Sequence, residues 1–253
     1  METKDRLAEE TAFHDAQAAE RAARYPDAAS LAFADDDWLG HETWIRPAFA
    51  KLGDLAGLDA LDLGCGHGMA SVVMARRGAR VSALDLSAGY LEEASRRAEA
   101  NGAAVSFHRG DAERLPFADA AFDRVWGNAI LHHLDIGQAG REIVRVLKPG
   151  GFAVFCEPWG GNPVLELARR WLPYPGKGRT RDERPLRSSD LERLREEAHV
   201  QAEGYQLLEM ARRVLGPGAL ARGLAWCDAR LLKRVPSLGQ FCRYVVLKVR
   251  ANP

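Results

Sequence analysis

The chain is poor in cysteine, has no long apolar run and carries no net charge, and each absence excludes a class of protein. Its four cysteines show no Cys-x-x-Cys spacing, which supports neither a zinc site nor a disulfide framework and fits a reducing cytoplasm. No apolar run approaches the length that spans a bilayer, and the charged residues at 1–10 are unlike a secretory signal. The 35 basic and 35 acidic residues cancel, so bulk charge favours no nucleic-acid partner.

Hydrophobic residues make up 47% of the chain and charged residues 28%, which suits a globular protein with a buried core. From Asp59 onward, short apolar runs alternate with longer helical patterns, as is typical of βαβ units and a parallel sheet. The predicted strands of this part are 60–63, 80–84, 104–108, 122–126 and 151–156. Later runs at 205–210 and 241–249, with a helix at 220–233 between them, predict an antiparallel pair at the sheet edge.

Two helical patterns precede the first predicted strand. Residues 4–24 carry a weak apolar stripe, and residues 35–55 place Trp38, Ile45 and Phe49 on one face, with a kink expected at Pro47. After residue 157 the alternation breaks. We therefore predict a helical lid at 1–57 and a core domain at 58–253, with a substrate-side insertion at about 159–199.

A glycine loop joins the first predicted strand to the next helix. Glycines 64, 66 and 68 let the backbone turn tightly and approach a ligand that a side chain would obstruct, although a bare turn would also use glycine. A dinucleotide fingerprint requires Gly-x-Gly-x-x-Gly, and Met69 stands in place of its third glycine, which disfavours NAD. Asp85 ends the next strand and is placed either to bind ribose hydroxyls or to cap the helix beside Ser87.

The chain carries five ordered sequence blocks: LDLGCGHG at 61–68, ALDLS at 83–87, GDAERLPF at 110–117, FDRVWGNAILHHL at 122–134 and REIVRVLKPGGFAVFCEP at 141–158. Over roughly 58–157 the chain thereby resembles class I S-adenosylmethionine-dependent methyltransferases, particularly the small-molecule branch with quinone-biosynthesis and natural-product enzymes. The resemblance implies an α/β fold with a Rossmann-like, doubly wound, mostly parallel seven-stranded sheet whose final strand is antiparallel. N-terminal helices and a helical insertion would complete it.

The resemblance also implies S-adenosyl-L-methionine as the cofactor and S-adenosyl-L-homocysteine as the product. The implied cofactor-binding residues are Asp62, Gly64, Cys65, Gly66, Asp85, Leu86, Asp111, Ala112 and Asn128. Those of the glycine loop, together with Asn128, would surround the methionine part. Asp85 would bind the ribose and Leu86 would pack on the adenine. Asp111 would accept the adenine amino group while the N–H of Ala112 meets a ring nitrogen.

Methyl transfer depends mainly on holding the acceptor in line with the sulfur–methyl bond and on excluding water. A hydroxyl acceptor also needs a base of near-neutral pKa, a role for which His is well suited. His132 and His133 follow the fourth strand at the edge where such sheets bind ligands, and they are the candidate bases. A structural or cofactor-side role is the competing interpretation. His41 and Glu157 are weaker candidates, and no metal site is predicted.

Residues 169–195 contain nine basic and four acidic residues and follow the fifth strand, where substrate-binding insertions often lie. Trp171, Tyr174 and Arg179 are the candidate substrate contacts, and the cluster would suit an anionic acceptor. A solvated Arg-rich loop explains the same composition equally well.

The leading hypothesis is methyl transfer from S-adenosylmethionine to a small organic acceptor, with oxygen favoured and nitrogen or carbon also open. An NAD(P)-dependent oxidoreductase and a catalytically silent binding protein of the same fold are the alternatives. The sequence indicates neither the acceptor nor the oligomeric state, because the acceptor pocket is assembled from segments that carry no local motif.

Overall fold

The structure is a computed structural model that describes residues 3–25, 27–163, 165–167, 184–216 and 218–252. Its strands are β1 Asp59–Leu63, β2 Arg80–Asp85, β3 Val105–Arg109, β4 Phe122–Asn128, β5 Leu147–Pro158, β6 Ala198–Tyr205 and β7 Tyr244–Ala251. Its described α-helices are α1 Thr3–Arg24, α2 Ala28–Leu31, α3 Asp35–Leu39, α4 Ile45–Ala50, α5 Met69–Arg76, α6 Ala88–Ala100, α7 Ile136–Val146, α8 Ser188–Glu197, α9 Arg212–Leu215 and α10 Ala219–Arg234. None of these helices is long and apolar enough to cross a membrane.

The strands form one seven-stranded sheet in the order β3-β2-β1-β4-β5-β7-β6. Strands β1 to β5 pair in parallel, and β7 runs antiparallel between β5 and β6. The predicted sheet, including its antiparallel final strand, is confirmed. Because the strand order reverses direction between β1 and β4, a crevice opens at their carboxyl ends, where open α/β sheets bind ligands.

Alternate residues of the central strands face opposite sides of the sheet and build two cores. Val125 and Phe155 belong to the core beneath α7 and α8, whereas their neighbour Trp126 belongs to the core beneath α3, α4 and α5. Trp38 of α3 and Phe49 of α4 meet Trp126 edge-on, with ring centroids 5.9 and 5.3 Å away. The helices α3 and α4 are therefore part of the packed core, and α1 is the N-terminal helix that reaches the crevice.

The predicted helix at 35–55 is wrong in one respect, because the structure breaks it into α3 and α4. The helix α3 ends at Gly40, whose N–H bonds to the carbonyl of Asp36. In one continuous helix the ring of Pro47 would clash with the carbonyl of Thr43, whereas near the start of α4 it is tolerated.

The sixth strand was predicted at 205–210 and instead spans Ala198–Tyr205. It ends there because Gln206 adopts a left-handed backbone conformation with φ of 62°. The N–H groups of the next three residues donate to the buried carboxylate of Asp228 in α10 and are not available to a sheet partner. The predicted antiparallel pair does form, between β6 and β7.

A cluster of charges joins the strands at the amino end of the sheet, opposite the crevice. Asp59 of β1 accepts from Arg80 of β2 at 2.6 Å, and Lys148 of β5 bonds to both Asp59 and Asp123 of β4. Hydrogen bonds from Arg80 and Lys148 lower the pKa of Asp59 to about 2. The cluster therefore ties four neighbouring strands together near the solvent boundary.

Replacing Lys148 by Met tests this cluster. The pKa of Asp59 is about 2 in the folded protein and about 4 in an unfolded chain, so its contribution is present above about pH 4 and is lost as the pH falls towards 2. We expect Lys148→Met to lower the free energy of unfolding only slightly at neutral pH, because water screens these ion pairs. Its urea-denaturation midpoint should also decline less steeply on acidification. If Lys148→Met and Asp59→Asn both lost stability on acidification as steeply as the wild type, the low pKa assigned to Asp59 would be contradicted.

Candidate functional site

The glycine loop after β1 needs its glycines for different reasons. Gly64, Gly66 and Gly68 all adopt positive φ, at 68°, 49° and 81°. A Cβ on Gly64 would lie 2.8 Å from the side chain of Ile130, and one on Gly68 would lie 2.7 Å from Cβ of Ala94. A Cβ on Gly66 would meet nothing within 4 Å. Gly64 and Gly68 therefore serve packing, whereas Gly66 borders open space.

That open space is a cavity of about 200 Å³ at the carboxyl ends of β1, β2 and β4. Most of the predicted cofactor-binding residues line it, and so does one candidate base: Gly64, Gly66, Asp85, Leu86, Asp111, Ala112, Asn128 and His133. The structure thus brings together residues from four separate sequence blocks. The predicted residues Asp62, Cys65, His132, His41 and Glu157 are not among those that line this cavity.

Asp85 joins the two loops that frame the cavity. Its carboxylate accepts the N–H of Gly66 at 2.8 Å and the N–H of Ser87 at 2.9 Å. The side chain is buried, and this burial raises its pKa. Because an ionised carboxylate has about four acceptor positions, Asp85 can make these bonds and still accept from the hydroxyls of a ligand.

Asp62 and Cys65 lie behind the loop. The Asp62 carboxylate is 2% exposed and accepts from the hydroxyl of Ser71 in α5. Burial raises its pKa to about 7. The Cys65 thiol is also buried and donates to the carbonyl of Gly66 at 3.7 Å, and burial raises its pKa as well. In this geometry both residues support the backbone of the loop from beneath.

Glu157 holds the loop that follows β4. Its carboxylate is fully buried and accepts the N–H groups of Ile130 at 3.0 Å and Leu131 at 2.9 Å. The Nδ1 atom of His132 lies 2.7 Å from its second oxygen. Beside these contacts Ala129 adopts φ of 58°, an uncommon conformation for a residue with a Cβ. Glu157 and His132 therefore fix the conformation of the loop from outside the cavity.

The remaining candidates lie in different places. His133 lines the cavity, and its Nδ1 atom is 3.9 Å from a carboxylate oxygen of Glu10 in α1. His41 is exposed at the end of α3. The predicted substrate contacts Trp171, Tyr174 and Arg179 fall outside the residues that the structure describes.

Sequence reasoning missed the contribution of α1. Leu7, Glu10, His14 and Gln17 all line the cavity. They follow one another at intervals of three and four residues, which is the spacing of a single helix face. This periodicity was visible in the sequence, but three of the four side chains are polar and so do not strengthen an apolar stripe.

A buried ion network lies at the α6 side of the cavity. Glu93 bonds to Arg21 of α1 and to Arg97 of its own helix, each at 2.9 Å. Arg97 also donates to the carbonyl of His67 in the glycine loop. Burial, together with the charges of Arg21 and Arg97, lowers the pKa of His67 to about 3. The His67 imidazole that lines the cavity is therefore neutral at physiological pH.

The glycines predict a matched pair of substitutions. Gly68→Ala places a methyl group against α6 and should lower the free energy of unfolding by at least about 2 kcal/mol, from overpacking and left-handed strain. Gly66→Ala introduces the same left-handed backbone strain without a clash, and its methyl group projects into the cavity. Its thermal midpoint should therefore fall less, while its affinity for S-adenosylhomocysteine, measured by calorimetry, falls more. The reverse order would show that the loop does not approach the ligand.

Glu157→Gln tests the loop anchor. Glutamine is neutral, so the bonds from the loop N–H groups lose their charge assistance, and its NH₂ group cannot accept from Nδ1 of His132. We expect the free energy of unfolding to fall by about 2 kcal/mol and affinity for S-adenosylhomocysteine to weaken, because the anchored loop lines the cavity. Glu192→Gln, on the exposed face of α8, serves as the control. Equal urea midpoints for the two variants would refute the anchoring role.

Comparison with known proteins finds a family model and several relatives that match the part of the chain around the cavity. A family model for the methyltransferase domain matches residues 61–155, the segment that holds the glycine loop, Asp85, Asp111 and Asn128. A structure of an S-adenosylmethionine-dependent methyltransferase from Mesorhizobium loti is similar to the chain with a TM-score of 0.55 and 22% identity. The aligned region covers 83% of this chain and 99% of that protein. This likeness shows the shared fold.

Two curated relatives match the same region. A malonyl-[acyl-carrier protein] O-methyltransferase from Pseudescherichia vulneris is 41% identical over 123 residues, 48% of this chain and 47% of the relative. A demethylmenaquinone methyltransferase from Thermobifida fusca is 42% identical over 134 residues, 52% of this chain and 56% of the relative. The chain thus spans about half the length of the curated relatives it matches. Residues 61–155 therefore match a methyltransferase domain, and these two curated relatives that share this region are methyltransferases.

Proposed function

We propose that the protein transfers a methyl group from S-adenosylmethionine to a small organic acceptor, with oxygen favoured and nitrogen or carbon also open. The observation that carries the proposal is the single cavity that gathers Gly66, Asp85, Asp111 and Asn128 from separate strands. The matched domain and the methyltransferase relatives support the same reaction. The oxidoreductase alternative is not favoured, since these relatives are methyltransferases and Met69 stands where the dinucleotide fingerprint has its third glycine.

The residues present fit the cofactor. Gly66 offers a backbone surface to the cavity that a side chain would fill, and Asp85 retains acceptor positions for two ribose hydroxyls. Asp111 and Ala112 line the same cavity at the end of β3, next to Leu86. When bound there, S-adenosylmethionine supplies a methyl group on an electrophilic sulfonium sulfur.

The protein's own residues position the reactants and exclude water from them. Glu157 fixes the loop that presents Asn128 and His133 to the cavity. Leu7, Ile130 and Leu134 provide apolar walls, and four residues of α1 line the cavity, which helps to exclude water from the reacting atoms. Proximity and water exclusion are the effects that methyl transfer requires most.

The relatives do not name the acceptor. One is a malonyl-[acyl-carrier protein] O-methyltransferase and the other a demethylmenaquinone methyltransferase, and their acceptors differ in chemistry. The anionic acceptor expected from residues 169–195 stays a prediction, because its candidate contacts lie outside the described ranges. A cytoplasmic location, suggested by the cysteine usage, is likewise part of the proposal.

Calorimetric titration with S-adenosylhomocysteine and with NADH tests the cofactor assignment. We expect binding of the first and not the second, and Asp85→Asn should weaken it about 10- to 100-fold, since a bond to a charged acceptor is worth about 1.5–3 kcal/mol. Asp36→Asn, at an exposed acid far from the cavity, is the control and should bind like the wild type. Binding of NADH alone would favour the oxidoreductase, and binding of neither would favour a catalytically silent protein.

A further inference from the structure

The helix α1 brings an acid and an imidazole against a candidate base of the core. His14 and His133 meet edge to face, with ring centroids 5.6 Å apart and an interplanar angle of 73°. Glu10, one turn before His14, places a carboxylate oxygen 3.9 Å from Nδ1 of His133. All three residues line the cavity that also contains Asp85 and Asn128. We call Glu10, His14 and His133 the lid–core triad.

The His14 side chain is placed to bind something in the cavity. Its Nδ1 atom is buried and has no hydrogen-bond partner within the described part of the chain. Its ring packs against Tyr90, with centroids 5.9 Å apart, as well as against His133. A buried imidazole nitrogen without a partner costs free energy unless a ligand completes its hydrogen bonding.

Polar contacts at both ends of the triad hold α1 in place. Arg6 donates to the carbonyl of His133 at 3.2 Å and pairs with Glu113. On the other side, Asp15 accepts from the Ser87 hydroxyl and from the N–H of Gly89. The triad is therefore assembled only when α1 is docked on both loops.

The charges of the cavity wall separate two classes of oxygen acceptor. Besides Asp85 and Asp111, which are assigned to the cofactor, Glu10 is the acid among its described lining residues, and none of them is Lys or Arg. A carboxylate acceptor would meet the like charge of Glu10 beside the triad and, being ionised already, would need no base. A neutral hydroxyl avoids this repulsion but must lose its proton during the transfer.

We propose that the lid–core triad binds a neutral hydroxyl acceptor, an alcohol or a phenol, and receives its proton. This inference rests on the proposed methyl transfer. As the oxygen–methyl bond forms from an oxygen lone pair, the hydroxyl proton passes to an imidazole nitrogen of His133 or His14. The carbon–sulfur bond breaks and its electron pair returns to sulfur. The nearby Glu10 carboxylate stabilises the imidazolium until the proton leaves to solvent.

Other charged and titratable groups also face the two imidazoles. Asp85, at the end of β2, interacts electrostatically with His14, and Tyr90 of α6 packs on its ring. On the core side His132 packs against His133, with centroids 4.1 Å apart and the rings tilted by 40°, and Arg6 reaches the His133 backbone. Each test variant therefore changes one residue only and is compared with the wild type at several pH values, so that all of the other groups stay in place.

The test uses the full chain, radiolabelled S-adenosylmethionine and matched probe pairs: 4-hydroxybiphenyl with biphenyl-4-carboxylate, and 1-decanol with decanoate. We expect methylation of the hydroxyl member of at least one pair.

Glu10→Gln and His133→Asn should each lower kcat by about 100-fold, the scale of general base catalysis, and the loss should change with pH. Affinity for S-adenosylhomocysteine should stay within a few-fold of the wild type. His14→Asn should show the same pattern if its imidazole takes the proton, and a raised KM if it binds the hydroxyl.

The controls are Glu20→Gln on the exposed face of α1 and His199→Asn on β6, both solvent-exposed. Preferred methylation of the carboxylate probes, or unchanged hydroxyl kinetics in the triad variants, would overturn the inference and leave the methyltransferase proposal intact.

If no probe reacts, nuclear magnetic resonance titration of ¹⁵N-histidine in the S-adenosylhomocysteine complex decides the matter. The inference then requires Glu10→Gln to lower the His133 titration midpoint, and an unmoved midpoint refutes it. Failure to bind S-adenosylhomocysteine would instead refute the proposed function.

Discussion

The geometry of the cavity depends on one buried carboxylate, that of Glu157. It sits at the end of β5 and accepts two backbone N–H groups from the loop after β4, with His132 against its second oxygen. A buried carboxylate that lost these partners would be costly, so the loop has one strongly preferred position. That position sets where Asn128 and His133 meet a ligand, and it also sustains the uncommon backbone conformation of Ala129.

Other acids at the cavity likewise support the protein's own backbone. Asp85 joins the glycine loop to the start of α6, and Asp62 joins β1 to α5. The sequence resemblance assigns both of them to the cofactor. These roles are compatible for Asp85, which lines the cavity and has acceptor positions to spare. Asp62 is enclosed behind the loop, and its contact with a cofactor stays a prediction.

The part of the fold that could be predicted is the part encoded locally. Strands β1 to β5 are short apolar runs between helices with clear ends. Four cavity residues lie at the ends of these strands or within two positions of them: Gly64, Asp85, Asp111 and Asn128. The sixth strand was misplaced because its end depends on Asp228, a residue that lies 20 positions away from its partner Leu208. The contacts of Glu157 could not be predicted for a similar reason, since its partners lie 25 to 27 positions earlier in the chain. Contacts of that range leave no periodicity to detect.

The placement of α1 bears on the order in which the protein can fold. The helix precedes the sheet in the chain, yet its contacts are with residues far along the chain: Arg21 pairs with Glu93, 72 positions later, and Arg6 reaches His133, 127 positions later. Until β4 and its loop have joined the sheet, α1 has no complete surface on which to dock, and closing so long a segment is entropically costly. Its own local contacts leave an isolated helix marginal in water. The wall that α1 adds to the cavity is thus among the last features to form, and the nascent protein acquires its glycine loop well before it acquires an enclosed site.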